Sequence, residues 1–285
     1  MNQGPEAEGA FAPDGHFYSP VPSLDEVRAR AGELFKKPEL TVPGVDLNRV
    51  GQFESLEILR KYYSDQPFAW QPTDGLRYFG DNSEFRLGDA FVLYAFLREL
   101  RPRRVVEIGS GYSTCAMLDT AELFLDGDLE LTCVEPHPQR LLGALREGDL
   151  DRLRLVHERV QDVDRALFEG LGEGDILFID SSHVSKIGSD VNHLFFDVLP
   201  RLASGTYVHV HDVLYPFEYP RDWVLEGRAW NEAYLVRAFL QYNRAFTVAF
   251  WGDYLVRLGE IAIRLEREMP RYKEDTGTSL WLRKR

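Results

Sequence analysis

The side chains able to do chemistry gather in a few short stretches. "DILFIDSSH" and "TYVHVHD" bring Asp180, His183, His209, His211 and Asp212 to the ends of two apolar runs. An imidazole with an ordinary pKa of about 6.5 can take a proton from an alcohol, phenol or acid near neutral pH. Side chains two apart on a strand share a face, so His209 and His211 point the same way. His209 lies deeper in its run and reads as a core histidine. His211, at the end beside Asp212, is the candidate base. His183 follows Asp180 by three residues, on a turn placed either to touch a ligand or simply to start a helix.

A second stretch, "RRVVEIGSGYST", ends its apolar run at Glu107 and then removes side chains at Gly109 and Gly111. Missing Cβ atoms suggest that a ligand comes close to the backbone there. A dinucleotide fingerprint would need a third glycine three residues on. Ser113 and Thr114 stand where the next helix begins, placed to cap it and to bond a ligand carboxylate at its positive end. That chemistry suits an amino-acid-bearing cofactor better than a pyrophosphate.

These residues need a scaffold, and the chain's rhythm supplies one. From Arg104 onward, "RVVEIG", "LELTCVEP", "LRLVHERV", "DILFIDSS", "TYVHVHD" and "FTVAFW" read as strands separated by amphipathic stretches such as "TCAMLDTAELFL" and "HLFFDVLPRLA". Strand–helix alternation predicts a mostly parallel sheet with helices on both faces and a ligand outside the strands' carboxyl ends. Glu107, Glu135, Asp180 and Asp212 all fall at such ends. "DYLVRLGEIAIRLEREMPRY" reads as one long helix, and Ser279 to Lys284 as a closing strand inserted antiparallel, the seventh of the sheet. Upstream, Ser23 with Glu26 three residues on predicts a capped helix, and helices are expected in "VGQFESLEILRKYYS" and "RLGDAFVLYAFLREL". We divide the chain into a disordered tail (1–15), an N-terminal helical extension with a lid (16–84, "HFYSPVPS" folding back) and an α/β domain (85–285).

With 33 basic against 46 acidic residues, a formal net charge of −13, the chain has no basic excess for a nucleic-acid backbone. No run reaches membrane-spanning length and no signal-peptide pattern opens the sequence, so a cytoplasmic protein is expected. Cys115 and Cys133 sit in apolar contexts and read as buried, inert thiols.

Four motifs in order carry a resemblance over roughly Phe85 to Arg285. "VVEIGSGYST" resembles the first motif of class I S-adenosylmethionine-dependent methyltransferases, which have a Rossmann-like, doubly wound sheet. The resemblance implies that Glu107, Gly109, Gly111, Ser113 and Thr114 hold the cofactor's amino-acid half. "CVEPH" resembles the second motif and implies that Glu135 accepts the ribose hydroxyls. "ERVQDV" resembles the third and implies Gln161 and Asp162 beside the adenine. "DILFIDSSH" and "LPRLASGTYVHVHDV" resemble the fourth and fifth strands of a branch related to small-molecule O-methyltransferases and cephalosporin-type hydroxylases. Metal-dependent members of that branch hold a divalent cation at places matched here by Asp180, His211 and Asp212, with Asp180 also bordering the cofactor. His211 replaces a usual oxygen ligand, so manganese, iron or zinc would be favoured over magnesium.

The expected activity is methyl transfer from S-adenosylmethionine to a small-molecule acceptor, at oxygen, with His211, Asp212 and His183 doing the catalysis. His211 as a free base, a metal held by Asp180, His211 and Asp212, and a purely structural cluster all remain open at this stage. So do a nicotinamide-dependent oxidoreductase, a hydroxylase-like protein that binds the cofactor without methyl transfer, and a regulatory module. After the fifth strand, Tyr215, Phe217, Tyr219, Trp223 and Trp230 suggest either a loop walling the pocket or a packed cover.

Overall fold

The computed structural model describes residues 11–285. Seven strands form one sheet in the order β3-β2-β1-β4-β5-β7-β6. They are β1 (Arg104–Ile108), β2 (Glu130–Val134), β3 (Leu153–Val156), β4 (Ile176–Ile179), β5 (Tyr207–Val210), β6 (Phe246–Trp251) and β7 (Leu280–Lys284). The first five pair in parallel. β7 runs antiparallel between β5 and β6. Central parallel strands are covered on both faces, which is why they are continuous apolar runs: all four residues of β4 are buried. The closing strand follows the same logic. Leu280, Trp281 and Leu282 are all buried, and the Trp281 ring stacks on Phe96 with centroids 4.6 Å apart.

The strand order reverses between β1 and β4, and there the connections leave a crevice at the carboxyl ends. Main-chain bonds align those ends. The Asp180 amide donates to Ile108 (2.8 Å), that of His211 to Ile179 (2.9 Å), and that of Glu135 to Val156 (3.0 Å).

The N-terminal helix begins as predicted, with Ser23 accepting from the Glu26 amide at 3.3 Å. Helices Arg49–Tyr62 and Leu87–Leu100 follow. The long C-terminal helix does not form as one piece. It is split into Gly252–Leu255, Gly259–Glu268 and Pro270–Glu274; the second break falls at Pro270, which lacks an amide hydrogen and opens a new helix instead of continuing the old. Residues 1–10 of the expected tail lie outside the described residues. Within 11–15 the chain turns, the Gly15 amide donating to the Val21 carbonyl at 3.0 Å.

The extension is tied down by a buried ion network. Arg77 reaches Asp119 at 2.7 Å, Asp149 at 2.6 Å and Glu122 at 3.0 Å. This fixes the segment just before Ser83 and Glu84 against the sheet's helical layer. Among the described residues no helix is long and apolar enough to cross a membrane.

Candidate active site

The glycine turn after β1 differs from the expectation. Gly109 has φ +79°, and a Cβ there would lie 2.1 Å from the Asp180 carbonyl oxygen. The backbone after β4 therefore passes close to Gly109, which also borders both clefts above the strand ends. At Gly111 the Cβ would meet the Arg140 stem at 3.3 Å. Glu107 is fully buried beneath the turn. Ser113 and Thr114 donate to its two carboxylate oxygens at 2.6 Å each, and Cys133 Sγ lies 3.2 Å away. Burial pushes the Glu107 pKa up, the three donors pull it down, and it settles at about 7. Ser113 and Thr114 thus spend their hydroxyls on Glu107, while Gly111 takes the N-cap position. Glu107, Ser113 and Thr114 brace the turn from behind and do not line the clefts.

Two adjoining clefts open above the strand ends. One, about 590 Å³, is lined by Val134, Glu135, His137, Gln161, Ser182 and Lys186 among others. The second, about 550 Å³, is lined by Glu84, Ser110, Arg140, His183, His211 and Trp230 among others. Gly109, Glu135, Asp180 and Ser181 border both. The Glu135 carboxylate is aimed by two backbone amides, Ser110 at 3.1 Å and His137 at 2.7 Å. Each of its oxygens keeps a further lone pair for hydroxyl donors. Ser110 Oγ is buried with no hydrogen-bond partner, as expected of a group that meets a ligand. These features fit a nucleoside-bearing amino acid lying across both clefts. Gln161 lines the first cleft and donates to the Gly188 carbonyl at 2.8 Å. Asp162 does not line it; its carboxylate turns to Arg159 at 2.7 Å.

The histidine and carboxylate cluster lies at the second cleft. His183 Nε2 stands 3.5 Å from Asp180 Oδ1 and 3.8 Å from Asp212 Oδ2. Its Nδ1 lies 2.9 Å from Glu232 Oε2. Burial disfavours charge on this ring, but the hydrogen bonds and charges of Asp180 and Glu232 outweigh it and raise the pKa to about 10. Both His183 (φ 59°) and Asp212 (φ 54°) adopt left-handed backbone, a conformation that costs non-glycine residues energy and gathers at functional sites.

His211 packs against Phe85, its Nε2 lying 3.3 Å from the Glu84 carbonyl oxygen and 3.6 Å from Asp212 Oδ1. Burial lowers its pKa, yet the charges of Asp212, Asp180 and Asp89 prevail and raise it. Asp180 is opposed by burial, but His211 and His183 hold its pKa below the usual value.

His209 is a core residue, stacked on Phe178 with centroids 3.7 Å apart. Neither ring nitrogen has a partner, and burial together with the neighbouring His211 pushes its pKa far down.

The expected metal set is not assembled. Among the described residues no three His, Cys, Asp or Glu side chains are grouped to hold an ion. Instead, Asp180 and Asp212 each have an oxygen within 4 Å of His183 Nε2, and His211 Nε2 faces the Glu84 carbonyl oxygen.

Two residues at or behind the cleft were missed from the sequence. Glu232 opens the helix Glu232–Leu240, and nothing in its local sequence marks it as a partner of His183. Arg228 stacks its guanidinium 4.6 Å from the Trp223 ring centre and 5.0 Å from that of Trp230. The aromatic loop is thus divided. Trp223 and Trp230 wall the cleft, whereas Tyr215, Phe217 and Tyr219 are packed cover. From the extension, Ser83 and Glu84 reach the cleft and residues 16–23 do not. Val21 to Ser23 instead line a separate pocket with Gly227 to Ala229.

A family model described as a methyltransferase domain matches residues 106–213. An uncharacterized protein of Archaeoglobus fulgidus is 37% identical over 173 residues, covering 59% of this chain and 77% of that protein. Among solved structures, the SAH-bound methyltransferase PaMTH1 of Podospora anserina is 16% identical. It covers 97% of this chain and 99% of its own at a TM-score of 0.44. A CmcI apo structure is 14% identical, covers 95% and 99% of the two chains, and has a TM-score of 0.39.

Proposed function

We propose that the chain, whose residues 106–213 match a methyltransferase-domain family model, is a class I S-adenosylmethionine-dependent methyltransferase that methylates an oxygen of a small-molecule acceptor in the cleft above β4 and β5. One observation carries this reading: the groups suited to the cofactor, Glu135 for its ribose and Ser110 for its amino-acid half, share a border with the Asp180–His183–His211–Asp212 cluster. The cofactor supplies an electrophilic methyl group on sulfur, and the protein contributes position and proton management.

Glu135 accepts the ribose hydroxyls, its orientation set by the Ser110 and His137 amides. Gln161 and His137 flank the base. Ser110 Oγ and the Gly109 turn meet the amino-acid half, and Asp180 marks the boundary with the acceptor. The acceptor enters between Arg228 with its two tryptophans and the histidine cluster. Neutral His211, beside Asp212, takes the acceptor hydroxyl's proton, while charged His183 favours the oxyanion left behind. Two imidazoles among carboxylates suit an O–H acceptor, whose proton must leave before the oxygen attacks.

Methyl-labelled S-adenosylmethionine incubated with panels of phenols, alcohols, carboxylic acids and amines tests the acceptor atom. Label should appear as ether or ester; transfer to amines alone would refute oxygen as the target. Glu135→Ala should remove most of the thermal stabilisation by S-adenosylmethionine, which a native-state ligand must provide. An unchanged shift would mean that Glu135 does not hold the ribose.

A further inference from the structure

Three carboxylates from three different elements face a single imidazole. Asp180 follows β4, Asp212 follows β5, and Glu232 begins the helix Glu232–Leu240. They lie 3.5, 3.8 and 2.9 Å from the ring nitrogens of His183. The His183 side chain is 8% exposed, and the Trp230 ring covers it with centroids 4.3 Å apart. The ring is anchored. Ser181 Oγ donates to Glu232 at 3.0 Å, and the Asn231 and Glu232 amides donate to the His183 carbonyl at 3.0 and 3.2 Å. A hard cation would need oxygens at roughly 2.0–2.6 Å from its centre. Here it is Nε2 that lies near both aspartates, at 3.5 and 3.8 Å. Without a positive charge, three carboxylates gathered in a largely buried site would repel one another strongly.

We propose that His183 is a built-in replacement for a divalent cation, an imidazolium that bridges Asp180, Asp212 and Glu232 and gives the cleft a fixed positive charge without a metal. The inference rests on the geometry of the cluster and holds whichever atom accepts the methyl group. Its test reads ion binding, so it fails or survives separately from the methyltransfer reading.

His183→Gly deletes the ring, and glycine accepts the left-handed backbone that histidine holds under strain. Asp180, Asp212 and Glu232 then face an emptied volume beside Trp230. Terbium, a hard ion that takes carboxylate oxygens, is the probe, read by its emission on tryptophan excitation. The variant should show a saturable emission that the native protein lacks. Added imidazole near pH 6 should displace the ion, and a second substitution, Glu232→Gln, should weaken binding because affinity for hard cations follows the number of anionic ligands. Equal saturable emission from the native protein would overturn the proposal. So would a folded His183→Gly protein that binds no terbium. His183→Lys provides the check if the glycine variant does not fold. It keeps a cation, so it should fold and show no such emission; terbium binding by the lysine variant would count against the replacement.

Discussion

Glu232→Gln removes one of the two carboxylates that act most strongly on His183, the other being Asp180. The Glu232 side chain is 1% exposed and its Oε2 lies 2.9 Å from His183 Nδ1. Burial opposes the imidazolium, yet Asp180 and Glu232 lift its pKa from 6.5 to about 10. A histidine pKa raised by folding stabilises the folded state. That contribution is complete below the unfolded value and is lost as pH rises through the folded one. A lift from 6.5 to about 10 is worth roughly 5 kcal/mol at about 1.36 kcal/mol per pH unit. If Glu232 supplies about half, the substitution brings His183 to roughly pKa 8. It should then cost about 2–3 kcal/mol near pH 6 and only about 1 kcal/mol near pH 9. Urea unfolding followed by tryptophan fluorescence at several pH values measures the cost, and ring-proton NMR follows His183 directly. A cost that stays the same from about pH 6 to pH 9 would refute the reasoning, because a packing or neutral hydrogen-bond role has no such slope.

Two further outcomes follow from the same structure. Arg77→Met leaves Asp119 and Asp149, 0% and 3% exposed, without their counter-charge. Chemical denaturation should register a loss of about 3–5 kcal/mol, and a loss under about 1 kcal/mol would mean that water or neighbours replace the guanidinium. For catalysis, the raised pKa of His211 means that its neutral form accumulates only above the ordinary histidine range. kcat/KM should therefore climb with pH on the alkaline side of that range. His211→Ala should abolish the climb and lose roughly 10²–10⁴-fold in rate while still binding cofactor. A native profile that is flat there would remove His211 as the base.

Much of the scaffold was legible in the chain. The strand runs, the helix before Pro102 and the closing strand at Trp281 follow from apolar periodicity and from residues that stop or start elements. Less of the site was. Glu107, Ser113 and Thr114 were read as ligand groups; that they bond one another beneath the turn was not legible, because a sequence does not show that a carboxylate at a strand end points inward. Gly109 was singled out for a ligand's approach, and the structure adds the Asp180 carbonyl as a second neighbour that leaves no room for a Cβ. Glu232 was invisible, because it meets His183 from 49 residues away and no local pattern encodes such an approach.

By itself, the sequence determined which elements form and which residue types stand at their carboxyl ends, since both follow from local spacing and composition. It placed Asp180, His211, Asp212 and Glu135 at strand ends that a parallel sheet must bring together. Only the tertiary structure decided their chemistry. The left-handed turn at His183 brings its Nε2 near two aspartates, Glu232 meets the ring's other nitrogen, and the Glu84 carbonyl oxygen meets His211. Charge state, accessibility and ion binding depend on distances and burial between segments remote in the chain, and local sequence has no terms for those.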